Sequence, residues 1–133
     1  MSARHNTEEY IAQAAHNAEL ARTLRKERKE YLDWAVTCLF YSAVHYINAC
    51  LTKDGKDIPR RHVGTDAGAV GRTNIVQQDA SLKTIYFDYR HLDDESRDAR
   101  YELRHPTPAE FDTYLMPKFV RIENFARQKL LSS

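Results

Sequence analysis

The chain has 133 residues, 42% hydrophobic and 29% charged, a balance that excludes a disordered tail and gives room for one domain. Only 4 glycines and 4 prolines occur, too few for an all-β sandwich or barrel, which needs a turn about every 8–12 residues. Lys and Arg number 20 against 19 Asp and Glu, so the net charge is +1 and any binding to nucleic acid must rest on a local patch.

Two cysteines, Cys38 and Cys50, are too few for a disulfide framework. Within one helix their separation corresponds to roughly 18 Å, beyond disulfide reach, so two reduced, buried thiols are expected. The opening residues Met1 to Thr7 carry no apolar leader segment. The most apolar run, Ala35 to Val44, is interrupted by Thr37 and Ser42 and falls short of the ~20 apolar residues a membrane span needs. A soluble, cytoplasmic protein without membrane contact is expected.

In chain order, a first helix is predicted from Thr7, taken as its cap, with Glu8 and Glu9 at the positive end of the dipole. Its narrow stripe of Tyr10, Ile11, Ala14, Ala15, Ala18, Ala21 and Leu24 implies close approach to a neighbour. Residues 22–30 either continue this helix or connect it to the next. A second helix, about Lys29 to Thr52, is apolar on nearly every side and must be covered from several directions, in part by a partner subunit. Asp54-Gly55 closes it. After a polar connection over 55–65, a short, weak helix is expected from Asp66 to Val76, capped by Thr65. The fourth helix starts at a Ser81 cap, carries Leu82, Ile85, Tyr86, Tyr89, Leu92, Ser96, Ala99 and Leu103 on one stripe, and is ended by Pro106. The fifth opens with the capping box Thr107-Pro108-Ala109-Glu110 and should be kinked or interrupted by Pro117. The expectation is one all-α domain over 1–133, with its core at about 7–130. It is an up-down bundle of four main helices plus a short one.

Most of the chemistry-bearing patterns dissolve on inspection. Residues 64–73 resemble a phosphate loop loosely, but Gly68 and Gly71 are three apart, Arg72 stands where lysine is needed and no strand precedes them. No thiolate pair exists and no two histidines stand at i, i+3 or i+4, so no metal and no cofactor are expected. His45 is expected as a hydrogen-bonded core residue. Arg60, Arg61 and His62 form a small cationic cluster in a polar loop.

The segment Ser96-Arg97-Asp98-Ala99-Arg100-Tyr101-Glu102-Leu103-Arg104-His105-Pro106 stands out. Taking Leu92 as zero, Arg100 lies about 80° from the apolar stripe and Arg97 about 140° away. Arg100 thus sits at the shoulder of the buried face, where a guanidinium is costly without a partner or a ligand. An arginine to hold phosphate and a histidine to move a proton suffice for RNA transesterification by its own 2′-hydroxyl, with no metal. The competing arrangement is an internal ion-pair network of these arginines with Asp93, Glu95 or Asp98.

On the helix Cys38 to Leu51, the Tyr86…Tyr89…Leu92 helix and the Arg-x4-His match at Arg100 and His105, the chain resembles the HEPN superfamily of small all-α domains over roughly residues 7–130. The resemblance implies a four- or five-helix homodimer in which the Arg-x(4–6)-His motifs of two subunits meet in one cleft. It also implies RNA cleavage without metal, as a toxin or defence effector, in some members beside a nucleotidyltransferase-type antitoxin. Arg100 would then bind the scissile phosphate and His105 act as general base or acid, with Arg97, Arg104, Arg60, Arg61 and His62 as further phosphate contacts. The residue after the motif arginine, usually Asn, Asp or His, is here Tyr101. Some relatives lack the catalytic pair, carry an arginine nearer Arg97 and have an Ala-acid-Tyr sequence that Ala99-Arg100-Tyr101 echoes. A non-catalytic module that binds a nucleotide or a protein is therefore the alternative reading.

Overall fold

The computed structural model describes residues 5–60 and 71–131, and the secondary structure it describes is entirely helical. Helix α1 spans Thr7–Glu27. Its cap is Asn6 rather than Thr7: Asn6 Oδ1 accepts from the Glu9 backbone N–H (2.8 Å), and Glu9 Oε1 accepts from the Asn6 N–H (2.9 Å). This reciprocal box satisfies two of the donors a helix start leaves open. Tyr10, Ala14, Ala18 and Ala21 are its buried residues. With so little bulk on that stripe, the Ser42 hydroxyl reaches across to the Ala14 carbonyl at 2.6 Å. Residues 22–30 turn out to do both jobs, continuing α1 to Glu27 and then forming a 3₁₀ turn, Lys29–Tyr31.

Helix α2, Leu32–Lys53, is the centre of the molecule and packs against α1 and both later long helices. Together with the 3₁₀ turn it forms a stretch, Lys29–Lys53, long and apolar enough to cross a membrane by length and composition. Alanine, cysteine and the branched aliphatic residues make up for the interruptions at Thr37 and Ser42, which corrects the shorter estimate from sequence. In the fold 78% of its most apolar 18-residue window is buried, the burial of a core helix. Neighbours within one chain cover most of α2, so the apolar surface left for a partner narrows to the Trp34 edge, where the indole is 55% exposed. The helix ends as expected. Gly55 takes φ 74°, a left-handed conformation open to glycine at no steric cost, and the Lys56 N–H closes onto the Leu51 carbonyl at 2.8 Å. Cys38 and Cys50 are both free thiols, and burial pushes Cys50 up to about 11.

Helix α3, Arg72–Gln78, is the short one. Its expected start at Asp66 and cap at Thr65 lie outside the described residues. Helix α4, Tyr86–Tyr101, is entered through a 3₁₀ turn, Leu82–Ile85. Asp79, not Ser81, caps this entry: its Oδ1 accepts from the backbone N–H groups of Ser81 (2.8 Å) and Leu82 (2.9 Å). The helix also stops earlier than its stripe suggests. Leu103 is 80% exposed, because the chain has already turned away.

Helix α5 starts at Pro108–Glu110, passes through a π-helical turn at Phe111–Leu115 and continues as Met116–Leu131. The Thr107 capping box is formed, with Glu110 N–H to Thr107 Oγ1 at 3.1 Å. Pro117 does not interrupt the helix. The wider turn immediately before it takes up the missing hydrogen bond and the bulk of the ring, a usual role for π-turns. Buried Phe111, Leu115, Phe119, Ile122 and Ala126 seat α5 on the core. Among the described residues the result is an all-α bundle of five helices, four long and one short.

Candidate functional site

The C-terminal end of α4 meets the first two turns of α2. Stepping along α4, Asp93, Ser96, Arg97 and Arg100 fall within successive turns, so their polar ends form a ladder. Asp93 is nearly fully buried and pairs with Arg97 at 3.5 Å. Ser96 is fully buried; its hydroxyl donates to the Asp93 carbonyl (3.0 Å) and accepts from Arg100 Nη1 (3.2 Å). The Arg100 guanidinium is half-buried and stands 5.5 Å from the Tyr41 ring centre and 5.4 Å from that of Tyr101. No carboxylate of the described residues pairs with it. Rings hold this cation in place while leaving most of its donors unused.

The backbone then reverses. The N–H groups of Glu102 and Arg104 both reach the Asp98 carbonyl (2.9 and 3.2 Å), and Leu103 takes φ 57° between them. A left-handed leucine costs about 1–2 kcal/mol, and glycine is the usual choice at such a helix end. The following loop is latched by Arg104, whose Nη2 meets Glu110 Oε2 at 2.9 Å and whose Nε meets Glu95 Oε2 at 3.3 Å. The Glu110 carboxyl is held below its usual range, first by the Thr107 N–H and then by Arg104. Buried Pro106 anchors the same loop. His105, exposed between these two fixed points, brings Nδ1 to 3.9 Å from Asp33 Oδ1 in the first turn of α2.

Asp33, Trp34 and Thr37 of α2, with Ala99, Arg100 and Leu103, line a groove of about 280 Å³. Arg100 forms part of its wall, and His105 is linked to it through Asp33. The sequence-expected residues thus divide. Arg100 and His105 belong to one neighbourhood. Arg97 flanks it but is paired with Asp93, and Arg104 serves as the latch. Arg60 is exposed, and no hydrogen bond, ion pair or ring contact among the described residues joins it to Arg100. Arg61 and His62 lie outside the described residues. Asp33 is the residue that sequence reasoning missed. It reads as an ordinary first-turn acid of α2, and only tertiary packing brings it to His105.

Two other expectations resolve elsewhere. Arg72, the stand-in for a phosphate-loop lysine, turns inward, its Nε on Asn48 Oδ1 (3.2 Å) and its Nη2 on the Pro59 carbonyl (3.0 Å). It braces α3 against α2. His45 Nδ1 is buried without a hydrogen-bond partner, contrary to expectation, and its ring stacks on Tyr10. Burial, then the charges of Arg72 and His5, push its pKa down. No cluster of three or more metal-ligating side chains occurs among the described residues. A larger hollow of about 490 Å³ beside Arg22, Lys26 and Arg127 is less available to an anion, since Glu123 pairs with Arg22 at 3.3 Å and with Arg127 at 3.7 Å.

The chain matches no protein-family model, no curated protein and no solved structure.

Proposed function

We propose that the chain is a HEPN-like, metal-independent endoribonuclease of toxin or defence type, acting in the cytoplasm as a homodimer whose two Arg100–His105 pairs share one RNA-binding cleft. The observation that carries this reading is Arg100. It is half-buried beside a groove, supported by Ser96 and two aromatic rings, and free of any described carboxylate, whereas Arg97 and Arg104 are both paired. An arginine kept open in this way suits a phosphate, which accepts the planar two-pronged donation of a guanidinium.

In the proposed reaction a His105 imidazole takes the proton of the 2′-hydroxyl. O2′ then bonds to phosphorus and the bond from phosphorus to O5′ breaks. The departing O5′ takes a proton from an imidazolium, His105 of the second copy. Arg100 stabilises the charge that grows on the phosphoryl oxygens. The products are a 2′,3′-cyclic phosphate and a free 5′-hydroxyl. A nucleotidyltransferase-type antitoxin is the protein partner this reading suggests.

The second reading is a non-catalytic module that binds a nucleotide or a protein. It is favoured by exposed Trp34 and Leu103 beside Arg100, an apolar edge suited to docking. Incubating the protein with a mixed RNA pool in excess EDTA separates the two, with light scattering alongside. The nuclease reading expects a dimer, cleavage that persists in EDTA, and fragments ending in cyclic phosphate. Cleavage abolished by EDTA and restored by a divalent ion means the reaction class is wrong. Binding without cleavage leaves the second reading.

A further inference from the structure

The geometry points to Asp33 as the positioning residue for His105: its carboxylate takes the Nδ1–H and leaves Nε2 facing substrate as the proton-transfer atom. This rests on the reading of His105 as general base or acid. Four observations converge on it. Asp33 Oδ1 is buried and has no hydrogen-bond partner, an expensive condition for a carboxylate oxygen. The group that approaches it is His105 Nδ1, at 3.9 Å. That is one small rotation of an exposed imidazole away from a hydrogen bond, whereas Asp33 itself, 19% exposed on a helix, has little freedom to move. Thr37 does not supply the missing donor, because its hydroxyl is used on the Asp33 backbone carbonyl at 2.9 Å.

The surroundings favour the same arrangement. Asp33 lies in the first turn of α2, where the positive end of the helix dipole favours a negative charge. The loop carrying His105 is tied on both sides, by the Arg104 latch to Glu95 and Glu110 and by buried Pro106. The backbone under the imidazole is therefore fixed, and the remaining freedom is the ring's own rotation. A neutral histidine has one protonated nitrogen, and the acceptor beside it decides which. With Nδ1–H on Asp33, Nε2 carries the lone pair that takes the 2′-hydroxyl proton. When Nε2 becomes protonated, the carboxylate stabilises the imidazolium without taking a proton itself.

Nitrogen-15 NMR of the full chain reads the tautomer of neutral His105 directly in mildly alkaline buffer, with a His105→Gln sample assigning the signals. The expected result is mainly the Nδ1–H form in the wild type, its loss in Asp33→Ala in favour of the Nε2–H form usual for free imidazole, and its return in Asp33→Glu. In parallel, Asp33→Ala should lower kcat for RNA cleavage at least about tenfold with KM little changed, and Asp33→Glu should recover part of the loss. Urea midpoints within experimental error of the wild type confirm that the variants are folded. An Nε2–H form in wild type and Asp33→Ala alike overturns the assignment, whether or not RNA is cut. A tautomer that follows Asp33 in a protein that cuts no RNA upholds the pairing and removes only the nuclease reading.

Discussion

At the N-terminal end of α4, Asp79 is paired with Lys56 and takes two backbone N–H groups, and Asp88 meets Arg121 in a two-pronged bridge at 2.8 and 2.9 Å. At the C-terminal end of the same helix, Arg100 has a hydroxyl and two rings, Leu103 is left-handed and exposed, and a carboxylate oxygen of Asp33 is buried; among the described residues the first has no counter-charge and the last no donor. One end of the helix is finished as a structural joint. The other keeps an open cation, backbone strain and an unmet acceptor within a few residues, features that persist where surrounding packing enforces them and that concentrate at functional sites. The difference is informative because helix, solvent and chain are common to both ends.

The sharpest way to separate the ends is to truncate Arg100. Under the nuclease reading, Arg100→Ala lowers RNA cleavage by ~10²-fold or more while stability falls by no more than about 2 kcal/mol, since one hydroxyl contact and two ring contacts are lost and no carboxylate is left unpaired. Arg100→Lys should not rescue fully, because an ammonium lacks the planar fork. His105→Ala should remove ~10²–10⁴ in rate. Cleavage assays beside urea denaturation check these values. A large stability loss at Arg100 with no cleavage in the wild type would make the two ends alike and remove the catalytic assignment.

The opposite signature is expected at Asp79. Burial acts to raise this carboxyl, but the Lys56 hydrogen bond and the N–H groups of Leu82 and Ser81 outweigh it and hold it down at about 2. Its stabilising contribution is therefore present above the ordinary value of 3.8 and lost as pH falls through about 2. Asp79→Ala should cost about 2 kcal/mol at neutral pH without touching the Arg100 neighbourhood, and the gap from wild type should close progressively in acid. Urea midpoints measured from pH 7 down to about 2 give both the size and the sign.

The smallest effect is the most diagnostic of strain. Leu103→Gly relieves the left-handed leucine but adds freedom to the unfolded chain, for a net gain of about 0.5–1 kcal/mol in thermal or urea unfolding. If that variant is more stable yet binds or cleaves RNA less well, the strained leucine belongs to the groove. If only stability changes, Leu103 is an inefficient cap and nothing more.

Much of the bundle was legible in the residues. The 3–4 spacing of Tyr10, Ala14, Ala18 and Ala21, the apolar α2, the Asp54-Gly55 stop and the Thr107 capping box all act through neighbours in sequence, and each appears where expected. The misses share a cause. Asn6, Asp79 and the π-turn before Pro117 are choices among near-equal local options, decided by which side chain finds the open donor and how the next helix must pack. The early end of α4 is of the same kind, since the stripe continues to Leu103 in sequence but the bundle has nothing there to bury it.

For the candidate site the division is sharper. Sequence alone placed Arg100 at the shoulder of a buried helix face and put His105 just beyond the helix end, because helical periodicity and the stop at proline are local rules. It could not say which of three arginines would remain open. That was decided when Asp93 took Arg97 and when Glu95 and Glu110 took Arg104, contacts set by helix rotation and by the return of the chain into α5. Nor could it bring Asp33 to His105, since a pairing between the first turn of one helix and the loop after another exists only once α2 and α4 have packed.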